Sequence, residues 1–246
     1  MALTAKGLIV REFHIGEADR FVTVLTDTLG VIRASVRGAR RVNSRSGAAT
    51  RLLSYTTLSL VKGREKYIVD TAVPERVFFA AGGEVEQIAL AQYFCELFAV
   101  VSPQEEPAAP FLQLLLNALH LLEKGEDRNR IKAVAELRLM TMAGYTPALG
   151  DCLCKYHQPP FFFNPASGTL SCSACRRDGM PLSPTVLDAM RHIISTEPAR
   201  VFSFRLPPDA CRQLVDIAER FVTCQLSRSF KTLEFYHSLS NIGVSI

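Results

Sequence analysis

The sequence predicts an α+β fold, a small N-terminal β-barrel followed by a helical domain with an embedded cysteine-rich module. Three observations carry that prediction. Short β-rich runs separated by turn signals fill the first eighty or so residues. After about Gly83 the apolar period lengthens from that of a strand to that of a helix. Four of the seven cysteines fall between Cys152 and Cys175, interrupting the helical pattern. The expected divisions are residues 1–80 for the barrel and 81–246 for the helical domain, with the cysteine module at about 149–180.

The β runs are Leu8-Ile9-Val10, Phe21 to Leu25, Val31-Ile32, Leu52 to Val61 and Tyr67-Ile68-Val69. Asp27-Thr28-Leu29-Gly30 reads as the turn between the second and third, and Lys62-Gly63-Arg64 as the link between the last two. Four to six short strands with close turns fit a curled sheet or small barrel. A five-stranded OB-like barrel suits the length, and an SH3-like barrel has a similar pattern.

Helical signals follow. Phe111, Leu114, Leu115, Ala118, Leu119 and Leu122 line one helical face, and Ile131, Val134, Leu137 and Met140 line another. Ser183-Pro184 is a helix start, because Ser caps and Pro suits the first position, where its missing N–H would be unpaired anyway. Val186, Met190, Ile193 and Ile194 mark the buried face behind it, and Ala210, Leu214, Ile217, Ala218 and Phe221 that of a further helix.

Of the 246 residues, 48% are hydrophobic, enough to bury a core and too many for a disordered chain. The longest uncharged stretch of the leucine-rich region, Pro107 to Leu122, is too short and too polar for a membrane span. The first residues lack a charged n-region followed by an apolar h-region, so no secretion signal is expected. A cytoplasmic, reducing setting follows, in which clustered cysteines bind metal more often than they form disulfides. The formal net charge of +4 is modest, and its distribution says more than its size.

Cys172 and Cys175 form a C-x-x-C knuckle, a spacing that lets two thiolates grip one ion while backbone N–H groups turn toward the sulfurs. The first half is irregular. Cys152 and Cys154 are one residue too close for a second knuckle, while Cys154 and His157 are spaced C-x-x-H. Two ligand sets are therefore open: all four cysteines, or Cys154, His157, Cys172 and Cys175. Both are closed tetrahedral types for structural Zn2+. H-x-E before P-C-x-x-C, H-E-x-x-H, G-x-S-x-G and the Walker A loop are all absent, which argues against a catalytic zinc and against an enzyme. A structural site would hold Phe161, Phe162 and Phe163 in place. Cys95, Cys211 and Cys224 lie in helical patterns among apolar residues and read as small buried hydrophobes.

From Thr28 to Arg64 there is no Asp or Glu, while Arg33, Arg37, Arg40, Arg41, Arg45, Arg51, Lys62 and Arg64 all fall there. A surface that is merely soluble mixes both signs. The centre, Arg37 to Gly47, mixes Gly, Ser and Arg without apolar periodicity and reads as a flexible arm between strands. Its arginines suit phosphates, through bidentate contact and counterion release. Tyr55 and Tyr67 are candidates for stacking on bases, although strand aromatics are more often core.

Lys6-Gly7-Leu8-Ile9-Val10, Gly16 to Arg20 running into Val22 to Thr26, Arg37-Gly38-Ala39-Arg40-Arg41, and Gly144-Tyr145-Thr146-Pro147 leading into the cysteines together resemble the bacterial RecO DNA repair proteins. The resemblance spans almost the whole chain. It implies an N-terminal OB-fold, a helical C-terminal domain and an embedded zinc module. It also implies a non-catalytic recombination mediator that binds single- and double-stranded DNA, anneals complementary strands and assists recombinase loading. The implied partners are RecR and the acidic C-terminal tail of single-strand-binding protein, and the setting is the cytoplasm, at the nucleoid during repair. Arg37, Arg40 and Arg41 match the family's basic DNA-contacting region, and charge extends the set to Arg33 and Arg45. The family's first knuckle is C-x-x-C, whereas here its second position falls on Lys155. Either Cys154 substitutes for it, or the ion moves to Cys154 and His157. For the tail, the helices around Phe202 to Phe221 with Arg205, Arg212 and Arg220 are a candidate groove. A second reading of the same residues is an RNA- or ribosome-associated zinc-ribbon protein, separable by its nucleic-acid preference.

Overall fold

A computed structural model describes residues 2–41, 44, 46–64, 66–150, 154, 159–175 and 179–242. In chain order the elements are strands β1 (Ala2–Ile15), β2 (Asp19–Thr26), β3 (Gly30–Val36), β4 (Ser54–Lys62) and β5 (Tyr67–Val77), then helices α1 (Val85–Val101), α2 (Ala109–Glu123) and α3 (Arg128–Met142). Short strands β6 (Phe161–Asn164), β7 (Thr169–Cys172) and β8 (Met180–Leu182) come next, and helices α4 (Pro184–Ser195), α5 (Pro208–Leu226) and α6 (Lys231–Ile242) follow them. They group into two compact units, Met1–Lys124 with Phe230–Ile246, and Gly125–Ser229.

In the first unit the five strands close into a barrel in the order β1-β2-β3-β5-β4. β4 shows why they do. Its even positions Ser54, Thr56, Leu58 and Leu60 are buried and the residues between them are half-buried, the two-residue period of a one-sided strand. Ile9, Val22, Val24, Ile32, Ala34, Leu58, Leu60 and Val69 fill the barrel core. All pairings are antiparallel except β3 with β5, which is parallel and only Ala34↔Tyr67 and Ser35↔Ile68 long.

β1 is far longer than its apolar centre suggests, because its first half pairs with β4 and its second half with β2. The register shifts between Ile9 and Arg11, so Leu8, Ile9 and Val10 are all buried while Arg11, Phe13 and Ile15 face out. The β2–β3 turn depends on Gly30, which sits at φ +62°, and a Cβ there would lie 2.4 Å from the Pro103 carbonyl oxygen. α2 is tied to the end of β5 by Glu123, which accepts the Phe79 N–H at 2.7 Å and pairs with Arg76. α6 starts on α1. Glu96 accepts both the hydroxyl and the N–H of Thr232, at 2.6 and 3.3 Å, placing a carboxylate at that helix's positive end. Tyr93 and Phe230 pack edge to face beside it, 5.7 Å between centroids.

The second unit is built on α3, with α4 and α5 against it. Asp127 caps α3 by accepting from the Asn129 and Arg130 N–H groups. Every residue from Ile131 to Leu137 is buried, including Lys132 and Glu136 at 0% exposure. Lys132 Nζ donates to Glu136 at 2.7 Å and to Glu219 on α5 at 2.8 Å. Burial lowers the Lys132 pKa, and the two carboxylates outweigh it, so the ammonium is held above its ordinary range. Ser183 accepts the Val186 N–H at 3.4 Å, so α4 begins at the expected cap. Strands β6, β7 and β8 form a three-stranded sheet ordered β7-β6-β8. Phe163 of β6 is fully buried and meets Phe221 of α5 at 5.8 Å between centroids, which anchors this thin sheet. No helix among the described residues is long and apolar enough to cross a membrane.

Candidate nucleic-acid interface and metal centre

The arginine-rich loop is held at both ends by the β1–β2 hairpin. Asp19 Oδ1 accepts the Gly38 N–H at 2.8 Å. The Arg40 N–H donates to the Ala18 carbonyl at 3.0 Å, and its guanidinium donates to the Gly16 carbonyl at 3.2 Å. Gly38 lies at φ +62°, a conformation that favours glycine and lets Arg37 and Arg41 flank a tight turn closed by the Arg41 N–H on the Gly38 carbonyl at 3.1 Å. Farther along, the buried Arg20 donates to the Gly47 carbonyl at 3.0 Å and to the Thr50 hydroxyl at 3.3 Å. Glu12 sits 3.4 Å from the same guanidinium and accepts the Leu52 N–H at 3.3 Å.

The Gly- and Ser-rich composition suggests a flexible arm. Among the described residues the loop is a series of anchored turns instead, because Asp19 and Arg20 spend their polar groups on its backbone. Arg37, Arg40 and Arg41 are exposed on this braced backbone, and Arg33 points outward from β3 between buried Ile32 and Ala34. Arg45 lies outside the described residues.

The two tyrosines proposed for stacking differ in exposure. Tyr67 is 5% exposed and packs in the barrel core. Tyr55 is half-buried, and burial raises its hydroxyl pKa ahead of smaller charge effects. Sequence reasoning missed Phe13, 53% exposed, which stands directly opposite Phe21 across β1 and β2. Its alternation with Arg11 and Ile15 is in the sequence, but the bulge that turns all three outward is not.

In the second unit Cys154, Cys172 and Cys175 converge, their sulfurs all within 4.8 Å of one another. Cys172 and Cys175 lie 3.6 Å apart and Cys154 and Cys172 3.1 Å apart. Four sulfurs at about 2.3 Å from one ion have tetrahedral edges of about 3.8 Å, so the trio fits a single small thiophilic cation. The Cys172 N–H donates to the Cys175 sulfur at 3.4 Å and the Cys175 N–H to the Cys172 carbonyl at 3.2 Å, the turn a C-x-x-C knuckle requires. β6 and β7 deliver Cys172 to this point, opposite Phe161 in the ladder. Cys154 belongs to both ligand sets left open by the spacing. Cys152 and His157, which distinguish those sets, lie outside the described residues.

The remaining cysteines differ from one another. Cys95 and Cys211 are buried, and desolvation pushes their thiols up, to about 12 and about 11, which makes them inert packing residues. Cys224 is exposed, contrary to the pattern, because it sits in the last turn of α5, beyond the buried stripe that ends at Phe221 and Val222. Around Phe202 to Phe221, Phe202 and Phe204 are half-buried. Phe221 is buried, Arg212 pairs with Asp209, and Arg220 pairs with Asp216 at 2.8 Å.

Comparison with known proteins matches these two regions to family models. The model described as recombination protein O N terminal matches residues 1–78, and the one described as recombination protein O C terminal matches residues 83–234. A DNA repair protein RecO of Acetivibrio thermocellus is 29% identical over 98% of this chain and 98% of its own length. Proteins of the same description from two strains of Dehalococcoides mccartyi are 27% identical over 97% of this chain and 96% of their own length, and 31% identical over 76% of each. The barrel with its braced arginine loop, the helical part with its cysteine cluster, and these matches across nearly the full length agree: the chain belongs to the RecO family of DNA repair proteins.

Proposed function

We propose that this protein is a non-catalytic recombination mediator that binds single- and double-stranded DNA, anneals complementary strands and assists recombinase loading. The carrying observation is the braced loop: Arg37, Arg40 and Arg41 are exposed on a backbone fixed by Asp19 and Ala18. An array of guanidiniums on a fixed backbone binds phosphates with less ordering cost than one on a mobile arm. Arg33, and Arg45 by charge, extend that array. The strand order β1-β2-β3-β5-β4 is that of an OB-fold, a frame that commonly presents nucleic-acid sites. In this reading residues 1–80 are the DNA-binding domain and 81–246 the helical domain. Screening of phosphates on two strands lowers the repulsion that opposes annealing.

A structural Zn2+ suits the donor set. Cys154, Cys172 and Cys175 would hold it, with Cys152 or His157 as the fourth ligand, and it would cross-link a sheet with little core of its own. RecR and the tail of single-strand-binding protein are the partners this family role implies, in the cytoplasm.

The test is binding to oligonucleotides across a salt series, with strand annealing measured in parallel. Replacing Arg37, Arg40 and Arg41 by Ala should weaken binding on all sequences alike and reduce the log–log salt slope by about 2 to 3, as expected for three lost phosphate contacts. An unchanged slope overturns the assignment of the loop. A clear preference for RNA over DNA favours the ribosome-associated reading instead.

A further inference from the structure

Outside the arginine loop, the barrel wall carries two neighbouring cross-strand rows. Arg11, Thr23 and Arg33 stand side by side on β1, β2 and β3, and Phe13 and Phe21 stand side by side one outward position along. Two residues along a strand separate the rows by about 7 Å. The rows form the floor of a groove of about 540 Å³, with Ile15 at its end and Lys66 at its rim. The Lys66 ammonium lies 3.9 Å from the Phe21 ring centroid and the Arg11 guanidinium 5.6 Å from that of Phe13.

A second groove, of about 490 Å³ and mostly polar, adjoins the first. It shares Arg33 and Lys66 with it and adds Lys62 and Arg64, with Glu105, 4.0 Å from the Lys62 ammonium, the acidic residue among the described lining. The seam is open because β3 meets β5 over two residue pairs, which leaves β3 from Gly30 to Arg33 unpaired to β5, with Lys62, Gly63, Arg64 and Lys66 lining the same groove.

Apolar rings set among cations and joined to a cationic trough match one kind of polymer, with flat apolar faces on one side and regularly spaced anionic charge on the other. We propose that this wall is a base-stacking seat for single-stranded DNA. One unpaired base lies on Phe13 over a floor of Phe21 and Ile15, Arg11 and Arg33 take the phosphates flanking it, and Lys62, Arg64 and Lys66 lead the backbone onward. A paired base cannot offer its face to Phe13, so the seat discriminates single strands from duplex, whereas the arginine loop binds phosphates of either. The proposal rests on the DNA-binding reading above and adds a site built on Phe13, Phe21 and Arg11, which shares only Arg33 with the array proposed there.

The chain contains no tryptophan, so Phe13→Trp installs a single fluorescent reporter at the seat. Phe13 is half exposed, so Phe13→Ala leaves the core intact, which an unchanged melting temperature would confirm. The probes are a thymidine oligonucleotide, an abasic oligonucleotide of the same length and charge, and a duplex. In Phe13→Trp the indole fluorescence should be quenched by the thymidine strand and not by the abasic one. Phe13→Ala should lose about 5- to 100-fold in affinity for the thymidine strand, with duplex binding unchanged. Equal binding of abasic and thymidine strands by the wild-type protein, or unchanged single-strand affinity in Phe13→Ala, overturns the seat while leaving the arginine-loop reading intact. Failure of the wild-type protein to bind any of the three probes overturns both.

Discussion

Asp19 and Arg20, adjacent at the start of β2, hold opposite ends of the arginine loop: the carboxylate accepts the Gly38 N–H, and the guanidinium reaches the Gly47 carbonyl 3.0 Å away. An acidic residue thereby supports a cationic surface. Asp19→Ala removes a negative charge beside Arg37, Arg40 and Arg41, so electrostatics alone predicts tighter DNA binding. If the fixed loop geometry matters more, affinity falls by about 3-fold or more, because the ordering of the loop must then be met on binding. Titration at two salt concentrations gives the sign.

Arg20→Ala acts on the fold. It removes a buried guanidinium and leaves Glu12, the Gly47 carbonyl and the Thr50 hydroxyl without that partner. Hydrogen bonds to a charged group predict a loss of about 2 to 3 kcal/mol, read by chemical denaturation. Arg20→Lys should recover only part, since an ammonium cannot span the same acceptors in a planar fork.

The cysteine cluster predicts bound metal in the purified protein. Cys172→Ala should abolish it, and chelation should raise hydrogen exchange over β6 and β7 while leaving α3 protected. Elemental analysis of Cys152→Ala and His157→Ala, made separately, identifies the fourth ligand as the one whose loss releases the ion. If Cys154→Ala keeps full metal content, both ligand sets fail.

Lys132→Met should destabilise the second unit by about 3 to 5 kcal/mol, because Glu136 is then buried without its cation. Lys132→Met with Glu136→Leu should recover much of that loss. The pH dependence has a definite sign. Lys132 is raised above its ordinary value of 10.5 in the folded state, so its contribution is fully present below 10.5 and is lost as the pH climbs through the higher folded value. Denaturation of wild type and the double variant should converge at alkaline pH and separate below it.

The five barrel strands and four of the six helices among the described residues were legible because each shows its own period over enough residues, whereas β6, β7 and β8 are too short to show one. β4 alternates, α2 shows a clean apolar stripe, and Ser183-Pro184 marks the start of α4. α1 carried no such face: eight of its residues are buried and the apolar ones surround it. α3 was found from one stripe, yet Lys132 and Glu136 on the rest of it are equally buried, a fact that depends on Glu219 far along the chain. The C-x-x-C knuckle was explicit in its spacing. Cys154 also joins that knuckle as both ligand sets require, while the choice between Cys152 and His157 was not legible, because the irregular half gives no spacing rule. A bulge hides the exposure of Phe13, and that of Cys224 is not legible because a helical pattern does not show where packing along the helix stops.

The first unit is assembled from two separated stretches of the chain, with α6 docked on α1 through Thr232 and Phe230. The second unit is an insertion between Lys124 and Phe230. A ribosome making this chain therefore releases the barrel strands well before the helix that completes their unit. All of the inserted helices can form while the unit that began synthesis is still waiting for its final piece. Order of synthesis and order of completion are reversed, and the barrel unit is finished only after everything inserted into it has been made.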